Sequence, residues 1–323
     1  MEPNNPINAF LDTSNHLTYC QADDLFSLRM LGQRLQLGQT RNSHAIMAGN
    51  VRTRYRGRGM SFAEVRPYQA GDDIRTIDWR VTARTQKPHT KLFEEERERP
   101  IFIMVDMRSS MFFGSQHQFK CVYAARIAAA IAWAACHAGD RIGAMILSDH
   151  GEWDLRPKRG KNAVLAFIHA LVDANQQLSN PATRTGRSLA QFLEDAKRII
   201  KPGAMAYLIS DGHDPQNIRA PLCTLARHTD VNFFKVYDPL EASLPTKGLL
   251  TIGDGHARTT INSRHVHQSF TQHFNQQQQA LKQALNQAMS TGINAPVNDD
   301  LEGLLLDVLG YRANALSKSR GKI

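Results

Sequence analysis

The strongest constraint on the fold of this chain is a run of five apolar residues, 101–105, that stops abruptly at Asp106. A short uninterrupted apolar run is typical of a strand that is buried on both faces. The pattern recurs at 204–211 and 231–238, where strand-like segments again end in aspartate, and helix-length segments lie between them. Strands that alternate with helices predict βαβ units, and therefore an α/β fold with a doubly wound, mainly parallel sheet.

The 323 residues are expected to divide into four parts. Residues 1–24 are expected to form a loose N-terminus, and residues 25–99 are expected to form a basic segment that packs on the core. The α/β domain is expected at 100–252, followed by a helical C-terminal extension at 253–323. The N-terminus lacks a signal-peptide pattern, the longest apolar stretch contains Arg126, and no C-x-x-C pair occurs. These features predict a cytoplasmic protein with reduced cysteines and no integral membrane segment.

A net charge of +9 indicates an acidic partner, which could be nucleic acid, anionic lipid or an acidic protein surface. Four arginines at every second position would share one face of a strand: Arg52, Arg54, Arg56 and Arg58. They favour either an acidic docking partner or a solvated loop. Nucleic acid is the weaker choice, because Tyr55 is the one aromatic residue between them that could stack on a base.

Four side chains that carry oxygen atoms lie in three predicted loops, and these loops are expected at one edge of the sheet. The four residues are Asp106, Ser110, Ser188 and Asp211. Their arrangement resembles the metal-ion-dependent adhesion site of von Willebrand factor A domains, written D-x-S-x-S, then a threonine, then an aspartate. The resemblance implies a site for Mg²⁺ or Mn²⁺ in which a carboxylate of a partner protein completes the coordination shell.

One position departs from that pattern, because Arg108 stands where the first serine is expected. Arginine has only donors and cannot ligate a cation. Either the metal site works with an altered shell, or the guanidinium pairs with Asp106 or Asp211 and takes the place of the ion. In the second case Arg108 itself would bind a partner's carboxylate through a bidentate pair, with Ser109 and Asp214 beside it.

A second motif precedes the first predicted strand and combines acids, arginines and a tryptophan. Its members are Arg66, Tyr68, Gly71, Asp72, Asp73, Arg75, Asp78, Trp79 and Arg84. From the residues alone, the motif is either a salt-bridged structural turn or a docking surface. With the strand that ends at Asp106, it resembles domain-of-unknown-function family 58, whose members are von Willebrand factor A-like and are typically associated with AAA+ ATPases of the MoxR class.

The resemblance implies a non-catalytic adaptor that works with a MoxR-type AAA+ ATPase in the assembly or maturation of other proteins. The sequence contains no P-loop, nucleophile elbow, H-E-x-x-H or dinucleotide motif. Two alternatives remain at this stage. A nucleic-acid-associated protein would explain the basic charge, and a metal-dependent hydrolase would use Asp106 and Asp211.

Overall fold

The computed structural model describes residues 17–37, 60–69, 72–95, 100–179, 186–253 and 258–310. Contacts along the chain separate two compact units, one within 1–39 and 99–323 and the other within 40–98. The expected boundary at residue 24 therefore differs from the observed one. Residues 17–37 belong to the large unit, and the small unit lies in the rest of the region that is expected from the sequence to be a single segment.

The helices and strands of the described residues are numbered in chain order. The helices are α1 (Ala22–Ser27), α2 (Arg29–Gly32), α3 (Trp79–Thr85), α4 (Lys120–Ala138), α5 (Lys161–Gln176), α6 (Leu189–Ile199), α7 (Pro215–Ala226), α8 (Pro239–Ala242), α9 (Ser263–Gln287) and α10 (Leu301–Leu309). The strands are β1 (Met60–Pro67), β2 (His89–Glu95), β3 (Ile101–Met107), β4 (Ile142–Ser148), β5 (Gly151–Lys158), β6 (Met205–Ser210), β7 (Asp230–Tyr237), β8 (Leu249–Gly253), β9 (Arg258–Asn262) and β10 (Thr291–Pro296).

The large unit is built on a sheet whose described strands run in the order β10-β7-β6-β3-β4-β5. All neighbouring strands in it are parallel except β4 and β5, which form an antiparallel pair. Every residue of β3, β4 and β6 is buried. One apolar cluster, which includes residues of α4 and α5, covers one face of the sheet, and a second, with α6 and α7, covers the other. The predicted doubly wound α/β fold is confirmed.

The C-terminal part of the chain differs from the helical extension that we expected at 253–323. Strand β10 lies in this region and pairs with β7, so it adds an outer parallel strand to the main sheet. Its pattern was too weak to predict, because the inward side chains alternate over only three positions, Ile293, Ala295 and Val297. The edge strand expected at 249–260 is instead a hairpin in which β8 pairs with β9.

Helix α4 lies against the sheet and is long and apolar. By length and composition alone it could cross a membrane, but 78% of its most apolar window is buried inside the fold. A core helix of this composition meets the same criteria, because both environments favour a long uninterrupted apolar run. Glycine at position 32 of α2 lets that short helix approach α4 closely, since a Cβ there would lie 2.5 Å from Trp133 Cβ.

The small unit is described over 60–69 and 72–95 and consists of a hairpin with a structured connection. Strands β1 and β2 are antiparallel, with an irregularity in register between Phe62 and Glu64. Between them lie a 3₁₀ turn at Ile74–Thr76 and helix α3. The connection is tied to the hairpin where Asp78 N–H donates to the His89 carbonyl at 2.8 Å.

Candidate functional site

Aspartates follow or end the four neighbouring parallel strands at the centre of the main sheet. Asp106 lies in β3, and Asp149, Asp211 and Asp238 stand just beyond β4, β6 and β7. Because these strands are parallel, their carboxyl ends meet at one edge, which we call the carboxyl edge. In open α/β sheets, this is the edge at which ligands bind.

Arg108 and Asp106 form a bidentate ion pair at the carboxyl edge. Nε of Arg108 donates to Asp106 Oδ1 at 2.9 Å, and Nη2 donates to Oδ2 at 2.7 Å. The carboxylate is fully buried, whereas 18% of the arginine side chain is exposed. Asp106 also accepts hydrogen bonds from the Arg108 backbone N–H at 3.2 Å and from the Ser210 hydroxyl at 2.8 Å. The guanidinium therefore occupies the side of Asp106 that a cation would use.

Lys120, at the first position of α4, is a second buried cation at this edge. Its side chain is fully buried, and Nζ lies 2.6 Å from Glu241 Oε1 and 3.4 Å from Asp211 Oδ2. Burial disfavours the charge of this lysine, but the two carboxylates outweigh that effect and raise its pKa. Lys120 thus links helix α4 to the ends of β6 and α8 through charge.

The carboxyl of Asp211 has a pKa below its usual value. Burial alone would raise this pKa, but the charge of Lys120 lowers it, and His213, whose Nε2 lies 3.4 Å from Asp211 Oδ2, acts in the same direction. The buried hydroxyl of Ser110 also contributes, although it reaches no described partner with full hydrogen-bond geometry. Asp211 is therefore held ionised inside the fold.

A third cation lies near these charges. Lys235 of β7 is buried, and its Nζ stands 4.6 Å from the ring centroid of Phe274 on α9. Burial lowers the pKa of Lys235 to about 8, and Glu241 and Asp211 only partly oppose this effect. Cations and carboxylates thus alternate beneath the carboxyl edge.

The residues at the carboxyl edge do not fit Mg²⁺ or Mn²⁺. A hard cation needs several oxygen ligands around it. Both oxygens of Asp106 are occupied by Arg108, and Asp211 faces Lys120. Within the described residues, no group of three or more His, Cys, Asp or Glu is arranged to hold a metal ion. The Nε and Nη2 groups of Arg108 are bonded to Asp106, and a bidentate pair between Arg108 and a partner's carboxylate stays a prediction.

The other residues expected at this site are placed differently from one another. Ser109 donates its backbone N–H to Asp149 Oδ2 at 2.7 Å, so it belongs to the cluster. Ser188 instead caps α6, where its hydroxyl accepts the Gln191 N–H at 3.2 Å. Asp214 is exposed, has a left-handed backbone conformation and bonds Asn217. The position of Ser188 is therefore accounted for by helix capping.

Sequence reasoning missed several members of the cluster, namely Lys120, Asp149, Ser210, His213, Asp238 and Glu241. Asp149 and Asp238 carry the same signal that identified Asp106, an aspartate directly after an apolar strand. Asp238 accepts the Ser115 N–H at 2.7 Å, and this bond ties the loop after β3 to the end of β7. Nothing in the sequence marks Lys120, because its partners lie 91 and 121 residues away.

The acidic residues of the second motif hold the small unit together. Asp72 accepts from Arg66 Nη2 at 2.8 Å and from the Gln69 N–H at 2.9 Å. The Tyr68 hydroxyl donates to the Asp72 carbonyl at 3.1 Å. Asp73 accepts the Arg75 N–H at 3.0 Å and so opens the 3₁₀ turn.

Asp78 has the corresponding role at the start of helix α3. Its carboxylate accepts the N–H groups of Arg80 and Val81 at 3.0 and 3.2 Å. The acidic residues of the motif therefore have structural roles in a turn. Gly71 and the arginines at 52, 54, 56 and 58 lie outside the described residues, and the expectations about them stay predictions.

Two relatives of known sequence are described as uncharacterized proteins. An uncharacterized protein of Mycobacterium tuberculosis (strain ATCC 25618 / H37Rv), Rv1480, is 32% identical over 198 residues. The uncharacterized protein Mb1516 of Mycobacterium bovis matches with the same identity over the same length. Each match covers 61% of this chain and 61% of the relative, so the chain spans less than two thirds of these proteins.

Two of the solved structures that match this chain show a distant similarity. A conserved hypothetical protein, BatB, from Bacteroides thetaiotaomicron is 12% identical with a TM-score of 0.41, and the match covers 65% of this chain and 95% of that one. A von Willebrand factor type A protein from Catenulispora acidiphila is 13% identical with a TM-score of 0.37 over 68% of this chain and 42% of that one.

The family is established by a match over most of the chain. The model of one protein family matches residues 64–284, a range that begins in β1 of the small unit and ends within α9. It therefore includes the turn motif as well as the carboxyl edge, the two regions on which the resemblance rested. The chain belongs to the family described as protein of unknown function DUF58.

Proposed function

We propose that this chain is a non-catalytic protein-binding adaptor that works with a MoxR-type AAA+ ATPase, and that it contacts its partner through the carboxyl edge. The observation that supports this proposal is the closed charge network around Arg108 and Lys120. Each central carboxylate has a cation beside it, at 2.7 Å for Asp106 and 3.4 Å for Asp211. A network in this state supplies a fixed polar surface rather than a free base or nucleophile.

The outer part of the carboxyl edge is accessible to a protein. The side chain of His213 is 64% exposed, Asp214 is exposed beside it, and Arg108 is partly exposed. These groups sit on loops that the buried ion pairs hold in place. A pre-organised polar rim of this kind favours specific protein contact, because little side-chain entropy is lost on binding.

Binding of a purified MoxR-type AAA+ ATPase from the same organism tests the proposal. The double variant His213→Ala/Asp214→Asn changes the rim and leaves the Arg108–Asp106 and Lys120–Glu241 pairs in place, and asparagine tolerates the left-handed backbone at position 214. We expect it to weaken the binding at least tenfold, as loss of an interface centre does.

A matched control uses His228, an exposed histidine at the opposite edge of the sheet, where its carbonyl accepts the Gly203 N–H. His228→Ala is expected to bind like the wild type. The adaptor proposal fails if the wild-type chain does not bind the ATPase at all. If both variants lost the same binding affinity for the ATPase, the carboxyl edge would not be the contact surface.

A further inference from the structure

The connection between β1 and β2 exposes two large apolar side chains within six residues. Trp79 is 68% exposed and Ile74 is 65% exposed. Three exposed arginines accompany them, Arg75, Arg80 and Arg84. We call these five residues the Trp79 surface. Single exposed apolar residues are normal, but an exposed tryptophan among arginines has the composition of an interface centre.

The fold of the small unit does not require Trp79. Helix α3 is anchored by its other side, where Val81 and Thr82 are partly buried and Thr82 Oγ1 accepts the His89 N–H at 3.1 Å. Positions 79, 80, 83 and 84 share the opposite side of a 3.6-residue helix, and all four are exposed. The indole is thus presented outward by a helix that the motif's acids hold in place.

Charge distinguishes the Trp79 surface from an ordinary exposed turn. Asp73 and Asp78 accept backbone N–H groups at 3.0 Å, and Asp72 pairs with Arg66. Arg75, Arg80 and Arg84 form no ion pair with a described acidic residue. The local acids are therefore used within the turn, and the outward charge is positive.

We propose that the Trp79 surface binds an acidic segment of a partner protein that also carries an apolar side chain. The arginines would pair with its carboxylates, and Trp79 with Ile74 would contact the apolar group. Nucleic acid is the poorer match, because Trp79 is the one aromatic side chain among these five residues that could stack on a base. This binding surface lies in the small unit and does not depend on the carboxyl edge or on the identity of the ATPase.

The first experiment measures whether Trp79 is accessible in the full chain. The difference in fluorescence between wild type and Trp79→Phe isolates this indole from Trp133, which is buried, and from Trp153, which is partly buried. We expect efficient quenching of the difference signal by acrylamide. A protected signal would overturn the proposal, since another part of this chain or a second copy would then cover the surface.

The second experiment identifies which kind of peptide or nucleic acid binds the Trp79 surface. The probes are labelled 12-residue peptides that vary the number of Asp and Glu against the number of Leu and Phe, together with a 20-nucleotide single-stranded DNA. We expect the tightest binding for peptides that combine acidic and apolar residues. Trp79→Ala is expected to weaken it about 30-fold, as is typical of an interface hot spot. Reversal of the three arginines to glutamate should abolish it.

Matched variants on the large unit control for general effects. Leu249→Ala removes another exposed apolar side chain, and Lys197, Arg198 and Lys201 changed to glutamate give the same charge reversal elsewhere. Both are expected to bind the mixed peptides like the wild type. The proposal is overturned if no peptide binds, if purely acidic peptides or the DNA bind as tightly as mixed ones, or if the control variants lose as much affinity.

Discussion

Arg108 holds both carboxylate oxygens of Asp106, a residue only two positions earlier in the chain, through hydrogen bonds of 2.9 and 2.7 Å. Because only one residue separates them, the Arg108 side chain turns back and its guanidinium contacts the end of the strand that precedes it. The pair is local in sequence, yet one member is completely buried. It places a fixed positive group where the adhesion sites that the motif resembles would hold a cation.

Metal binding is the first property that this pair predicts. A calorimetric titration of Mg²⁺ or Mn²⁺ into the full chain should give no binding heat, because Arg108 occupies Asp106. The variant Arg108→Ser restores the D-x-S-x-S pattern and should bind Mn²⁺ more tightly than the wild type. Saturable binding to the wild-type chain would contradict this account of the site.

Stability is the second property. Arg108→Ala leaves Asp106 buried without its cation, and we expect the free energy of unfolding to fall by about 3 kcal/mol. Urea denaturation followed by circular dichroism measures the change. Arg198→Ala is the control, because this arginine is highly exposed and its contact with Asp195 at 3.4 Å is weak. The control should change stability by less than about 0.5 kcal/mol. Similar losses in both variants would contradict the importance of the pair.

The pH dependence of stability follows from Lys120 and Asp211. Because the folded-state pKa of Asp211 is lowered, its contribution is present above its unfolded pKa of about 4 and is lost as pH falls through the folded value. In Lys120→Met the charge that lowers this pKa is gone, and burial raises it instead. The wild type should therefore exceed the variant in stability by more at pH 7 than at pH 4.

Unfolding curves of both proteins at several pH values test this expectation, because the acids that do not contact Lys120 titrate alike in both and cancel in the difference. At alkaline pH the raised pKa of Lys120 makes the free energy of unfolding decrease as pH rises, opposite to the effect of Asp211. Its contribution is complete below its unfolded pKa and disappears as pH rises through the folded value. A stability difference that does not vary between pH 4 and pH 7 would refute the assignment.

Helix α3 provides a test of the turn motif. Asp78 accepts two N–H groups at the start of this helix, so Asp78→Ala should destabilise the small unit by about 1 kcal/mol. Amide hydrogen exchange of residues 79–85 measures the effect locally. Asp78→Ser keeps an oxygen that can cap the helix and should retain most of the protection. Unchanged exchange in the alanine variant would mean that the cap contributes nothing.

The central sheet could be predicted because its strands are buried on both faces and therefore appear as uninterrupted apolar runs. Strand β10 could not, since a short outer strand with Gly292 and Pro296 gains its structure from pairing with β7. The leucine spacing of residues 24–37 predicts one amphipathic helix, whereas the structure interrupts this helix at Leu28, between α1 and α2. Its leucine spacing showed which side is buried but did not indicate the break.

The site was predictable to a similar degree. An aspartate at the end of a buried strand identified Asp106 and Asp211, because ligands in open α/β sheets bind at the carboxyl ends of the strands. The contact between Arg108 and Asp106 was one of two arrangements that the spacing allowed. Lys120 lay beyond prediction, since a lysine at the start of an apolar helix gives no sign that it will be buried among distant carboxylates. Sequence locates such charges, whereas their pairing depends on tertiary structure.

The position of β10 has a consequence for the order in which the protein can fold during synthesis. Strand β7 is complete at Tyr237, but the strand that covers its outer side begins at Thr291, after α9 has been made. Until then the nascent sheet presents an uncovered row of backbone N–H and C=O groups along β7, and such an edge is prone to pair with other chains. Chains that stop before β10 should therefore aggregate, even though every other strand of the sheet is present.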